Sequence, residues 1–234
     1  MGKLGRFLYS IGFAAMVVAA TLLVPSLAMA GTLDQQQPTV GSMELNAHST
    51  QSVAQTFTAG LTGKLDQVDL NLNKSGTPPV PLIVELRDVS AGLPGSAVLA
   101  SQSVLASSVV AFPGSGWVPF AFPTPGSVTA GTQYAIVAHS AAVFPDTYAW
   151  SQGTGTDPYA GGAAYFASSS PPTTAWMPVP IGPPDFAFKT YVVPAMTPSS
   201  SATGQRAAAL KKCKKKHSKR ARRRCRKRAR LLPV

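Results

Sequence analysis

The chain has 234 residues, 45% of them hydrophobic and 13% charged, and its 20 Gly and 21 Pro point to many turns and short strands and away from long helices. The net charge of +12 is not a property of the whole. Residues 31–205 carry four cations (Lys64, Lys74, Arg87, Lys189) against nine acids, a net of −5, while 15 of the 21 Lys and Arg lie between Arg206 and Arg230 with no acid among them. A slightly acidic body with a strongly basic end is the signature of an interaction tail rather than of a fold.

The first 30 residues have the three parts of a secretory signal. Lys3 and Arg6 make a positive start, Ile11 to Val24 is apolar, and Pro25 then breaks the run before "AMA", which sets the expected cut after Ala30. The competing reading is an uncleaved anchor, but the apolar run is shorter than the roughly 20 residues a bilayer span requires. No second apolar run follows, so the mature chain is expected to be exported, extracellular or envelope-associated, without a transmembrane segment. The body, expected over residues 31–193, holds no cysteine and must rely on its hydrophobic core.

Within that body, apolar residues alternate in short segments. "QVDLNLN" sets Val68, Leu70 and Leu72 against Asp69, Asn71 and Asn73, and "PLIVELRD" sets Leu82, Val84 and Leu86 against Glu85 and Arg87. "WVPFAF", "QYAIVAH" and "DFAFKTYV" repeat the pattern through Phe120, Ile136 and Phe188. Period-two alternation with one polar face marks antiparallel strands packed on one side. The clusters "KSGTPP", "SAGLPGS", "FPGSG" and "PTPGS" fall where connections are needed. The expected fold is all-β: an antiparallel β-sandwich of jelly-roll type, with a short basic tail, helical or disordered, at the C-terminus.

The phrases "LDQQQ", "SVAQTFTAGLTGKLDQVDLNLNK", "LIVELRD", "GLPGSAVLASQSV", "VTAGTQYAIVAHS", "YAGGAAYF" and "DFAFKTYV" together resemble a secreted bacterial jelly-roll module of the choice-of-anchor type, over nearly all of residues 32–193. The resemblance implies a β-sandwich of mostly unassigned function, with carbohydrate binding as a frequent expectation and no catalytic residue to carry over.

Catalytic patterns are missing. His48 and His139 and nine scattered carboxylates form no G-x-S-x-G, H-E-x-x-H or phosphate-loop motif, so no enzyme and no cofactor is expected. An extracellular polysaccharide hydrolase with a site assembled only in space is the alternative reading. The region "YAWSQGTGTDPYAGGAAYF" suggests sugar binding through Trp150, Gln152, Asp157 and Tyr159, with Trp176 downstream, because aromatic planes stack on sugar rings while amides and carboxylates hold hydroxyls. Core packing of Tyr148 and Trp150 on one strand is the competing reading. No dense D-x-D pattern supports calcium.

Residues 194–205, "PAMTPSSSATGQ", read as a flexible linker. The tail over residues 206–234 is disordered, one helix, or a helical hairpin. In one straight helix Cys213 and Cys225 would stand about 18 Å apart, beyond the reach of a disulfide. A hairpin turning at residues 216–219 aligns Ala207, Leu210 and Cys213 with Ala221, Cys225, Ala229 and Leu232 and lets the cysteines pair. A zinc site from His217 and the cysteines has too few ligands. The tail resembles the short basic "KKC…RRxC…LP" endings of other secreted bacterial proteins, which imply no established activity. Its cations Lys211, Lys212, Lys214, Lys215, Lys216, Arg220, Arg222, Arg223, Arg224, Arg226, Lys227, Arg228 and Arg230 are expected to bind anionic envelope polymers or lipids. With no aromatic among them, specific nucleic-acid recognition is not expected.

Overall fold

The computed structural model describes residues 31–156, 159–172, 175–180, 182–195 and 203–232. The leader expected over residues 1–30, Asp157 and residues 196–202 of the expected linker lie outside them.

Twelve strands form two antiparallel sheets. In chain order they are β1 (Thr32–Gln37), β2 (Glu44–Ala47), β3 (Ser52–Thr58), β4 (Gly63–Ser75), β5 (Leu82–Ser90), β6 (Leu93–Val104), β7 (Gly116–Val128), β8 (Gln133–His139), β9 (Thr147–Ser151), β10 (Ala164–Ala167), β11 (Trp176–Pro178) and β12 (Phe188–Pro194). The spine of the first sheet is β4. One edge of it pairs with β7, and the other takes β12 along Gly63–Leu70 and then β9 along Leu72–Ser75. Outside these, β1 pairs β12 and β2 pairs β9. The second sheet runs β11-β10-β3-β8-β5-β6. From β3 onward the chain repeatedly switches sheet, and only the β5–β6 hairpin and β10–β11 stay in one.

The core lies between the sheets. Phe57 of β3 packs on Tyr134 of its own sheet and on Phe188 of the other, with ring centroids 6.1 and 6.2 Å away. Val68, Leu70, Leu82, Val84, Leu86, Phe120 and Ile136, expected inside from their alternation, are fully buried. Each such aliphatic or aromatic side chain contributes about 1.5–3 kcal/mol by leaving water.

Two turn clusters take a specific form, and a third feature needs correction. "PTPGS" is an arch within a strand. It lies inside β7, where residues 122–125 arch out opposite the single residue Asp66, because Pro123 and Pro125 have no N–H to give the ladder. "SAGLPGS" contracts to a two-residue turn: Ser90 pairs with Leu93 around Ala91 (φ 52°) and Gly92 (φ 80°), the type I′ geometry that matches strand twist. The third concerns the polar faces. Asn71 and Asn73 are buried too, accepting from Ser151 Oγ and donating to Glu44 respectively, and β8 is buried on both faces. Ala135 and Val137 form a second apolar cluster on the outside of the second sheet with Ala54, Ala167 and Trp176.

After the sandwich come α1 (Thr203–Lys214) and α2 (Lys219–Ala229). The first two residues of the expected linker, Pro194 and Ala195, end β12 and its last backbone hydrogen bond, and Thr203 to Gln205 begin α1.

Candidate functional site

Two regions carry chemistry, one at the tail and one on the sandwich. The tail is a helical hairpin. Cys213 and Cys225 are joined by a disulfide, their Cα atoms 5.4 Å apart. Both thiols are consumed, which removes the donors of the zinc reading. Like charges at i,i+4, such as Arg220 with Arg224 and Arg222 with Arg226, work against α2. Ser218 opposes them by capping its first turn, its Oγ accepting from Ala221 N at 3.1 Å. Arg226, Lys227 and Arg228 in the last turn sit at the negative end of the helix dipole. Arg206 reaches across from α1 to the Arg230 carbonyl. Closing the loop between the cysteines contributes about 3 kcal/mol in the chain-entropy model.

All thirteen expected anion-binding cations, from Lys211 to Arg230, are exposed. Lys219, Arg222, Arg223, Arg226, Lys227 and Arg230 recur at helical spacing along one face of α2 and line a groove of about 550 Å³. Lys219, which the sequence reading did not single out, belongs to it. A second groove of about 840 Å³ has Ala209, Cys213, Ala221, Cys225, Ala229 and the two terminal leucines on its floor and walls, with Lys216, Arg224, Lys227 and Arg228 around it.

On the sandwich, the four described residues of the five expected to bind a sugar, Trp150, Gln152, Tyr159 and Trp176, do not share a surface. Trp150 is 1% exposed, stacks on Phe186 at 4.7 Å and donates its Nε1–H to the Ala187 carbonyl at 2.8 Å. It is core and offers no face to a ligand, because both neighbours of β9 and the opposite sheet close over it. Gln152 is 2% exposed, buried beside the bridge it makes with Phe186. Tyr159 is half-buried. Its hydroxyl donates to Gln35 Oε1 at 3.0 Å and accepts from Thr58 N at 3.3 Å, and its ring meets Phe188 edge-on at 5.1 Å. Burial pushes its phenol up, and the nearby Asp34 and Asp185 charges push the same way. Its backbone N–H and the Gln55 amide both donate to the fully buried Asp185. Trp176 is 6% exposed and lies over Ala54, Ala135 and Val137, with its Nε1–H buried and without a hydrogen-bond partner.

The outer face of the second sheet gathers other polar groups instead. Arg87 Nε donates to Glu85 Oε2 at 2.7 Å, and His139 Nε2 lies 3.5 Å from Glu85 Oε1, an ion-pair distance too long for a hydrogen bond. Next to these strands, Thr56, Thr58, Gln133 and Tyr165 line an open pocket of about 370 Å³, closed on one side by Gly161 and Gly162. A Cβ on Gly162 would stand 1.8 Å from the Thr56 carbonyl, so only glycine lets this loop approach β3 so closely. The stretch "YAWSQGTGTDPYAGGAAYF" singled out in the sequence supplies the glycine loop and Tyr165 of this pocket, but its other wall was not foreseen. Alternation assigned Thr56, Thr58 and Gln133 no role, and the loop that completes the pocket arrives from a hundred residues further along.

The fold defines an all-β sandwich followed by a disulfide-closed helical hairpin. A scan against protein-family models and a search of curated proteins each find no match to this chain.

Proposed function

We propose that this chain is a non-catalytic protein of the cell exterior, held on anionic envelope surfaces by its cationic hairpin while the sandwich is displayed or binds glycan. The observation that carries the reading is the tail: 15 cations without one acid, on and beside two short helices locked by a disulfide. Each Lys or Arg close to an anionic surface contributes about 1 kcal/mol, so even partial engagement retains the protein. A disulfide is chemistry of oxidising compartments, in keeping with an exported chain. The sandwich's share rests on the open pocket lined by Tyr165 and Gln133, an aromatic ring and an amide of the kind that hold a sugar, while the Thr56 and Thr58 hydroxyls donate to the Ala163 and Gly161 carbonyls and shape its wall.

Fractionation of cells producing the chain with and without residues 206–234 tests retention. The intact protein should pellet with the envelope and be released by about 1 M salt, where the screening length falls to about 3 Å. Identical distribution of the two forms would overturn the reading. A panel of polysaccharides offered to the sandwich separates binding without product from turnover, and turnover would replace this account with a hydrolase.

A further inference from the structure

We infer that the surface the hairpin recognises is a lipid bilayer carrying anionic headgroups, rather than a soluble or wall-bound polyanion. The inference rests on the retention reading above and names its partner. A phosphate polymer needs only cations. This hairpin presents something more, an apolar groove beside them. Ala221, Cys225 and Ala229 lie at i, i+4 and i+8 on α2, and the line continues to Leu232 just past its end. The hairpin itself buries Ala229 on that line, but a groove of about 840 Å³ beside it remains open, lined also by both leucines. Leu231 is 83% exposed and Leu232 37%. In a segment of such charge, apolar side chains presented to water are a cost that a polyanion would not relieve.

The charge arrangement matches the same partner. Lys216, Arg224 and Arg228 stand around the apolar groove, and Lys227 lines both it and the groove formed by six cations on α2. An apolar strip bounded by Lys and Arg is the pattern of a helix lying in the plane of a membrane interface: side chains enter the acyl boundary, and the cations beside them meet phosphates. No described helix is long and apolar enough to cross a membrane, so the hairpin would lie on the bilayer, not through it. The disulfide keeps both helices on one side of the strip and reduces the ordering cost of binding.

The test uses the purified mature chain with three probes: phosphatidylcholine vesicles, vesicles with about one-third phosphatidylglycerol, and immobilised polyphosphate. The expected result is binding to the anionic vesicles and not to phosphatidylcholine alone, outlasting polyphosphate binding as salt rises. Combining Leu231→Ser with Leu232→Ser should weaken vesicle binding about tenfold and leave polyphosphate binding within about twofold, because only the lipid buries these side chains. Both leucines are exposed and the variant leaves the disulfide and the buried Cys213 and Ala229 in place, so it keeps the hairpin. If the double variant binds vesicles as the parent does, or if vesicle and polyphosphate binding fall together with salt, the lipid inference is overturned and retention by charge stands. Equal binding to phosphatidylcholine would also overturn it. Failure to bind either anionic probe would remove the retention reading itself.

Discussion

Trp150 lies nearly flat on Phe186, ring centroids 4.7 Å apart and planes 17° from parallel, where one edge of β9 passes from pairing with β4 to pairing with the chain leading into β12. The indole N–H is tied to the Ala187 carbonyl in the same place, so one side chain pins three segments of the first sheet. Trp150→Ala should therefore cost about 3–5 kcal/mol, the range for emptying a large aromatic site. Trp150→Phe should cost less, about 0.5–1.5 kcal/mol for the lost hydrogen bond, because the Ala187 carbonyl still accepts from Asn71 N. Urea unfolding followed by circular dichroism measures both. A neutral Trp150→Ala would mean that the side chain is exposed after all.

Ala91 occupies the first central position of the β5–β6 turn at φ 52°, a conformation that asparagine and glycine tolerate and alanine does not. Ala91→Asn converts the turn to Asn-Gly, the pair this turn type favours. It should stabilise the sandwich by about 0.5–1 kcal/mol, read as a rise in the urea midpoint. A lowered midpoint would contradict the turn geometry.

Glu85 sets part of the acid response. Burial alone would lift its carboxyl, but the adjacent His139 and Arg87 outweigh that and hold it below the ordinary glutamate value. A group depressed in the folded state adds stability that is complete above its unfolded value and disappears as the pH falls through the folded one. The stability gap between the parent and Glu85→Gln should be constant near neutrality and close below about pH 4.3. Asp34, which burial raises, acts in the opposite sense but is common to both proteins and cancels in the comparison. A gap unchanged down to about pH 3 would sever the link to Glu85 ionisation.

Reduction of the disulfide should melt the hairpin and spare the sandwich, since the body holds no cysteine. About 3 kcal/mol of loop closure is then missing from two helices already opposed by like charges. Far-UV circular dichroism of the isolated tail peptide, oxidised and reduced, should show helix only when oxidised. Ser218→Ala should lower the helical signal further by about 1 kcal/mol of capping. Helix that persists after reduction would assign the hairpin's stability elsewhere.

The parts of this molecule legible in the sequence are those decided over short distances. Val68, Leu70 and Leu72, or Leu82, Val84 and Leu86, announce their faces within one strand, and the structure buries each of them. The cysteine pair was readable because the reach of a disulfide and the rise of a helix leave few ways for residues 213 and 225 to meet. Alternation named five of the twelve strands. It passed over β3 and β9, all but one of whose residues are buried, because Ser52, Gln55, Thr56, Thr147 and Ser151 are polar yet lie inside, so polarity there marks no outer face.

Amino-acid order alone determined the all-β architecture and the segregation of positive charge into the last 30 residues, since periodicity and composition are local quantities. For the tail it allowed disorder, one helix or a hairpin, and the structure closes it as a hairpin. Tertiary structure decided which aromatics are ligands of the core and which edge a pocket. Trp150 is claimed by Phe186 and Ala187, and Tyr165 lines one pocket with Thr56 and Gln133, residues far apart in the chain. Burial is a property of neighbours, and only the packed sheets say who those neighbours are.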